Sequence, residues 1–195
     1  MKSIFTAACV LLPLAVAIAQ TTETGVYLTA SDFENNKLSA AVPCTEKIRV
    51  NPIFDNAHII IGKGANAQRF TKSSLYGYSH CHTAYRIYNK NTYEVAGTEG
   101  FYIYTREVLV QGKGVVKQVH YYFSTTADGI VQELTIANLK KAFPKNDAFH
   151  NFLDDRLKGA SDLYTYDSAR KQFKVSRLYT ESIAIATSRN ASENN

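Results

Sequence analysis

The segment SHCHT, residues 79–83, holds the residue types most suited to chemistry in this chain: His80, Cys81 and His82. Imidazole nitrogen and thiolate sulfur are ligands that zinc prefers, so the segment first suggests a metal site. If the segment is an extended strand, His80 and His82 share one face and Cys81 points to the other, because strand side chains repeat every two residues. We therefore predict that the three do not meet one ion, and that the protein holds no metal and no cofactor. A metal-binding module that uses His80 and His82 remains an alternative.

The number of cysteines favours a disulfide bond for Cys81. Of the three cysteines, Cys9 lies in a predicted signal peptide, which leaves Cys44 and Cys81 in the mature chain. An even pair in an exported protein is interpreted first as a disulfide. Closing a loop of about 38 residues stabilises the fold by about 4 kcal/mol in the chain-entropy model. Two free thiols are the alternative, whereas a Cys–His nucleophile pair is disfavoured because adjacent strand residues diverge.

The start of the chain has the features of a signal peptide. Lys2 supplies a positive charge, residues 4–18 form an apolar run, and small residues precede a cleavage site between Ala19 and Gln20. The apolar run is too short for a membrane span. We therefore predict a signal peptide at 1–19, one domain at 20–187 and a disordered polar tail at 188–195. The mature protein is expected in the periplasm, at the outer envelope or outside the cell.

The charge of the chain excludes one class of partner. The formal net charge is +5, and it falls to +4 when Lys2 is removed with the signal peptide. The basic residues are spread along the chain, whereas a nucleic-acid-binding surface needs a dense basic stripe. We predict no nucleic-acid partner and no transmembrane span, and the sequence leaves the oligomeric state open.

Short segments of alternating or β-branched residues, separated by turn residues, fill the middle of the chain. They predict short strands between about residues 46 and 124, joined by turns rich in Gly and Asn. Such short connections imply antiparallel pairing, either as an open sheet or as a partly open barrel.

Helical signals flank this strand region. Thr29 and Asp32 have the spacing of a capping box and predict a short N-terminal helix. Thr135 is a candidate N-cap, and residues 136–143 after it place apolar side chains at helical spacing. Asn146 or Asp147 can start a second helix, with apolar side chains at helical spacing over residues 149–157. Residues 166–179 fit either a helix or a strand, with a helix preferred. The expected fold class is therefore α+β, with two or three C-terminal helices.

Tyrosine alternates with other residues along several predicted strands. If those strands are neighbours, one face of the sheet carries a patch of aromatic and basic side chains, namely Arg86, Tyr88, Tyr102, Tyr104, Arg106, His120 and Tyr122. A tyrosine ring combines apolar area with a polar tip, so this patch suits a sugar or a peptide. The alternative is that the C-terminal helices bury this face, because tyrosine favours strands in any case.

Other residues with chemical potential do not form a recognisable site. Gly62 and Gly64 lead into a strand rather than a helix, which indicates a hairpin turn and not a phosphate loop. Scattered carboxylates leave a small hydrolase, with an acidic or histidine site assembled in the fold, as an alternative function; they are Glu94, Glu99, Glu107 and Glu133. We assign no catalytic residue. The expected function is a non-catalytic binding or structural domain of the cell envelope, with a polysaccharide or a peptide as its ligand.

Three motifs resemble a group of exported proteins common in Bacteroidetes-type bacteria. The first is GVYLTASDFENNK at 25–37, which has the form G-x-Y-x-T-x-x-D-F-x-N-N-K. The likeness continues through SLYGY at 74–78, YRIY at 85–88 and VQELTIANLKKAFP at 131–144. The resemblance implies an exported location and a bacterial origin of this type, and it assigns no catalytic or binding residue.

Overall fold

The computed structural model describes residues 23–46, 48–50, 57–111 and 114–193, with side chains described up to residue 188. The predicted signal peptide and its cleavage site at Ala19 and Gln20 lie outside the described residues.

The predicted α+β class is confirmed, and its centre is an open antiparallel sheet of eight strands. The strands of this sheet are β1 (Glu23–Tyr27), β2 (Ser39–Pro43), β6 (Gly77–His80), β7 (Thr83–Tyr88), β8 (Asn91–Gly97), β9 (Tyr102–Gln111), β10 (Val115–Ser124) and β11 (Gln132–Glu133). They lie in the order β11-β10-β9-β8-β7-β6-β1-β2, and each neighbouring pair is antiparallel. Strands β6 to β10 form the predicted meander, and the sheet does not close into a barrel.

Smaller strands and four helices complete the described part of the chain. A separate three-stranded sheet contains β3 (Ile48–Val50), β4 (His58–Ile61) and β5 (Gln68–Thr71), and a short hairpin contains β12 (Tyr166–Asp167) and β13 (Gln172–Phe173). The helices are α1 (Ala30–Glu34), α2 (Ile136–Ala142), α3 (Asp147–Arg156) and α4 (Lys174–Glu193).

Three of the helices begin at an N-cap residue whose side chain bonds to the first turn. Thr29 and Asp32 form the predicted capping box of α1, with each side chain bonded to the other residue's backbone N–H. Thr135 caps α2 and Asn146 caps α3 in the same way, each through a side-chain oxygen that accepts from a backbone N–H three residues on. The three caps lie where the sequence predicts them.

The main core lies between α2, α3, α4 and one face of the large sheet, here called the helix-side face. Phe101, Ile103 and Phe123 extend from β9, β10 and the turn before β9 into this core. They meet buried helix residues such as Leu139 and Phe149. At the other end of the same face, β4 of the small sheet buries Ile59 and Ile61 against Val26 and Tyr78.

Four features differ from the expectations or extend them. The sequence did not indicate β1 and β2, which form one end of the sheet beside β6. Residues 166–179, for which the sequence allows a helix or a strand, contain both. The β12–β13 hairpin comes first, and α4 starts directly after it. Helix α4 continues to Glu193, into the stretch predicted as a disordered tail. Of the described helices, none is long and apolar enough to cross a membrane.

Candidate functional site

The SHCHT segment forms a tight turn, and not the extended strand for which the directions of its side chains were considered. His80 pairs with Thr83 in the β6–β7 hairpin, which leaves Cys81 and His82 as the two turn residues. Cys81 has a φ of 56°, in the left-handed region that such turns require. His80 is directed to Thr24, with 3.2 Å between Nδ1 and Oγ1, whereas His82 is exposed. In the described part of the chain, no three His, Cys, Asp or Glu side chains are grouped closely enough to hold a metal.

The predicted disulfide between Cys44 and Cys81 is confirmed. The two Cα atoms are 5.1 Å apart, and the bond joins the chain just after β2 to the β6–β7 turn. The bond therefore connects the edge strand β2 to the centre of the sheet across β1. This is the structural role of the cysteine in the SHCHT segment.

His82 lines a small cleft, which bears on the hydrolase alternative. The cleft has a volume of about 190 Å³, and the charged side chains among its described lining are Glu99 and Lys171. A glycosidase site needs two carboxylates that face each other across the substrate. Glu99 is the single carboxylate of this lining, so the cleft does not supply that pair.

The structure brings the predicted aromatic and basic residues to one face of the large sheet, here called the tyrosine face. His120 lies opposite Arg106 and Tyr122 lies opposite Tyr104 in the β9–β10 ladder. Strands β9 and β10 are direct neighbours, as the patch requires, whereas β8 lies between β7 and β9. Tyr93 of β8 pairs with Arg86 and fills this gap.

One half of the tyrosine face is covered, and its centre is Arg86. The Arg86 side chain is only 3% exposed. Its guanidinium donates to the Tyr104 hydroxyl at 3.0 Å, to Ser124 Oγ at 3.1 Å and to the Gly129 carbonyl at 2.6 Å. Three tyrosine rings surround it at 5.2 to 5.6 Å from Cζ, and they belong to Tyr76, Tyr88 and Tyr104. All these partners are neutral, so Arg86 acts as a buried cation held by hydroxyls, a carbonyl and aromatic rings.

A loop and a helix form the cover over this half. The loop at residues 125–129 is held through its carbonyls, because the Tyr76 hydroxyl donates to Ala127 O at 2.7 Å and Ser124 Oγ donates to Thr126 O at 2.7 Å. Phe33 of α1 packs against Tyr76 with ring centroids 5.3 Å apart. Tyr104 is fully buried beneath this cover, so neither Tyr104 nor Arg86 is available to a ligand.

Burial also changes the titration of the covered tyrosines. Loss of solvent raises the pKa of Tyr76 well above its ordinary value, and the nearby Arg86 charge only partly opposes this. Burial likewise raises the pKa of Tyr102, helped by Glu34, whose carboxylate accepts a hydrogen bond from the Tyr102 hydroxyl at 3.2 Å. Both side chains therefore stay neutral at physiological pH and act as hydrogen-bond donors.

The other half of the tyrosine face is open, and its accessible side chains are Arg106, His120 and Tyr122, each partly exposed. Tyr88 is also partly exposed and lies at the boundary of the two halves, since its ring contacts Arg86. Tyr93 lies beneath the open half as a platform. The Arg106 guanidinium lies 5.9 Å from the Tyr93 ring centre, and the Tyr122 ring meets the same ring edge-on at 5.0 Å. These contacts hold Arg106 and Tyr122 in place while part of each side chain stays in solvent.

His120 contains a buried polar atom, its Nε2. This atom has no hydrogen-bond partner among the described residues. A buried group left unpaired costs about 1–3 kcal/mol, which native structures usually avoid. The open half of the tyrosine face thus carries an unused hydrogen-bonding group next to Arg106.

Sequence reasoning missed two residues of this face, Tyr76 and Tyr93. Tyr93 lies in the region predicted as short strands, and the alternation of apolar and polar residues around it was a usable signal. Tyr76 lies in the same predicted region, just before β6. The loop at residues 125–129 gave no signal, because a carbonyl can accept a hydrogen bond in any residue type.

Comparisons with known proteins give this chain no relative. No family model, no curated protein and no solved structure matches it. The geometry of the described residues is therefore the basis for any assignment of function.

Proposed function

We propose that the protein is an exported, non-catalytic binding domain, and that the open half of its tyrosine face binds a polysaccharide of the cell envelope. The observation that supports the site most directly is the placement of the helices. Helices α2, α3 and α4 pack on the helix-side face. The tyrosine face is covered by α1 and the loop at residues 125–129, and this cover extends over one half of the face.

The chemistry of the open half suits a sugar. The rings of Tyr88 and Tyr122 offer apolar area beside polar hydroxyls, which suits the faces of a sugar ring. Arg106 adds donors and positive charge for hydroxyl or acidic groups of the ligand, and His120 lies opposite it in the β9–β10 ladder. A peptide remains the alternative ligand because the same groups also recognise aromatic and acidic side chains.

The exported location rests on two further observations. The Cys44–Cys81 disulfide is typical of proteins that fold in an oxidising compartment. The features of a signal peptide precede the described residues, and the motif starting at Gly25 resembles exported bacterial proteins. We therefore infer that the domain acts in the periplasm, at the outer envelope or outside the cell.

A glycan array and a peptide array, each probed with wild type and variants, test the binding proposal. Tyr122→Ala and Arg106→Ala should each reduce affinity for the best glycan at least tenfold, which corresponds to about 1.4 kcal/mol of binding free energy. Tyr166→Ala is the matched control because Tyr166 is 49% exposed and lies on the β12–β13 hairpin, away from the open half. Glycan hits that survive both changes would overturn the proposed site, and hits confined to peptides would replace the polysaccharide as ligand.

A further inference from the structure

The far ends of β9 and β10 form an arm that extends beyond the rest of the large sheet. On the β9 side, the register places Asn91, the first residue of β8, level with Val108. On the β10 side, β11 pairs only with Tyr122 and Phe123. The arm carries apolar side chains into solvent: Leu109 is 70% exposed, Val115 64% and Val116 62%. Exposed apolar side chains grouped in this way are typical of an interaction surface.

The outer edge of β10 has backbone groups without a strand beside them. Leu134 N donates to Tyr121 O at 3.0 Å, so the backbone N–H and C=O of Tyr121 point away from β9. Because these directions alternate along an antiparallel strand, the backbone groups of Val119, Lys117 and Val115 point the same way. Within the described residues, no strand pairs with this edge between Val115 and Val119. A free edge of this kind is a template for another strand.

The sequence of this edge is symmetric. Its outward-bonding residues are Val115, Lys117 and Val119, which give the same order of side chains in either direction. Antiparallel pairing of two identical edges about a two-fold axis at Lys117 places Val115 of one copy opposite Val119 of the other, and uses every outward-pointing group of the three residues. We propose that the occupant of this edge is a second copy of the chain, so that two large sheets join through β10 into one sheet.

The charges at the centre of this contact permit the pairing. The two-fold axis brings the two Lys117 side chains together, which alone would be unfavourable. Each Lys117 Nζ, however, already lies 2.8 Å from the Glu107 Oε2 of its own β9. Two neutral pairs therefore meet at the axis, flanked by valines, in place of two isolated positive charges.

The length of the free edge also fits this partner. When the two Lys117 residues lie opposite each other, the last paired residue of one copy is Val115. It lies opposite Val119 of the other copy. The first contact of β10 with its own neighbour is at Tyr121, two residues further on, so the two copies do not compete for the same backbone groups.

The proposed dimer has a consequence for ligand binding. A two-fold axis between antiparallel strands of one sheet runs perpendicular to that sheet, so both tyrosine faces lie on the same side. The open halves of both tyrosine faces could then bind the same polysaccharide chain. Once one copy has bound the chain, binding by the other copy is intramolecular and therefore favoured. The dimer itself does not depend on the identity of the ligand.

Cysteine cross-linking tests the axis position. Lys117→Cys should form a disulfide-linked dimer under mild oxidation, because paired residues in such a ladder have Cα atoms about 5.5 Å apart, within disulfide range. Leu109→Cys is the matched control: Leu109 lies opposite Lys117 in the β9–β10 ladder and is also exposed. Its two copies would be three strand spacings apart, about 14 Å, and should not link. Equal linking of the two variants on a non-reducing gel, or linking of neither, would overturn the proposal.

Sedimentation of the unmodified interface gives a second, independent readout. Wild type should show a concentration-dependent monomer–dimer equilibrium, and Val115→Lys with Val119→Lys should weaken it at least tenfold by adding charge at both ends of the pairing. Ile183→Lys is the control because Ile183 is an exposed apolar residue of α4. Circular dichroism confirms that each variant is folded. A wild type that remains monomeric, or a dimer unaffected by the double change, would contradict pairing through β10.

Discussion

Arg86 and Arg106 occupy similar sequence contexts, yet they have opposite roles in the structure. Each lies in a strand rich in tyrosine, and both are directed to the tyrosine face. Arg86 is buried under a loop and bonded to two hydroxyls and a carbonyl, whereas Arg106 rests on the ring of Tyr93 and stays partly exposed. The comparison teaches that the same residue pattern can build a core or a surface. What decides is whether another part of the chain covers it.

The largest effect is expected from the disulfide, which lies at the covered end of the sheet. Changing Cys44→Ser with Cys81→Ser should lower the free energy of unfolding by about 4 kcal/mol, because the unfolded chain loses a loop constraint. Glycan affinity of the folded fraction should not change, since the bond is remote from Tyr122. Urea unfolding and a binding isotherm on the same samples measure both quantities. A loss of affinity with unchanged stability would contradict the division between the two halves.

Substituting the two arginines tests the comparison itself. Arg86→Ala should lower the free energy of unfolding by about 3 kcal/mol or more, because it leaves a cavity and an unpaired Gly129 carbonyl. Arg106→Ala should cost no more than about 1 kcal/mol, the value of one partly exposed cation–ring contact. Denaturant unfolding of the two variants side by side checks the difference. Equal losses would mean that Arg106 is also part of the core.

Alkaline pH should act on the covered half. Because folding raises the pKa of Tyr76 and of Tyr102, both groups favour the folded state fully below about pH 10, the ordinary pKa of tyrosine. As the pH rises above this value, tyrosines of the unfolded chain ionise first, and stability falls. Urea midpoints between about pH 8 and pH 11 should therefore decrease, with tyrosinate absorbance appearing together with unfolding. A constant midpoint over this range would show that these tyrosines are not buried.

The smallest expected change is at His120, where stability and binding should move in opposite directions. His120→Phe removes a buried atom without a hydrogen-bond partner, so stability should rise by about 1 kcal/mol while glycan affinity falls. His150→Phe is the control, because His150 Nε2 lies 3.0 Å from the Phe143 carbonyl, and its loss should destabilise the protein. Thermal unfolding and the binding isotherm give the two readouts. A destabilised His120→Phe variant would indicate that Nε2 has a partner after all.

The sequence predicted local structure better than it predicted the site. Helix caps at Thr29, Thr135 and Asn146, and the disulfide, depend on residues close in sequence or on simple counting, and all agree with the structure. The turn at Cys81 and His82 was not predicted, because the short sequence SHCHT fits a two-residue turn as well as a strand. The covered and open halves of the tyrosine face could not be separated, since the cover depends on a loop about forty residues after Arg86 that bonds through backbone carbonyls.

Tyrosine nitration mapped by mass spectrometry, with and without the glycan that scores highest on the array, separates the open half of the tyrosine face from the covered half. We expect Tyr88 and Tyr122 to react in the free protein and to be protected by saturating glycan. Tyr104, which is fully buried, should not react in either state. Tyr104 reacting as fast as Tyr122, or Tyr122 reacting at the same rate when glycan is bound, would contradict the account.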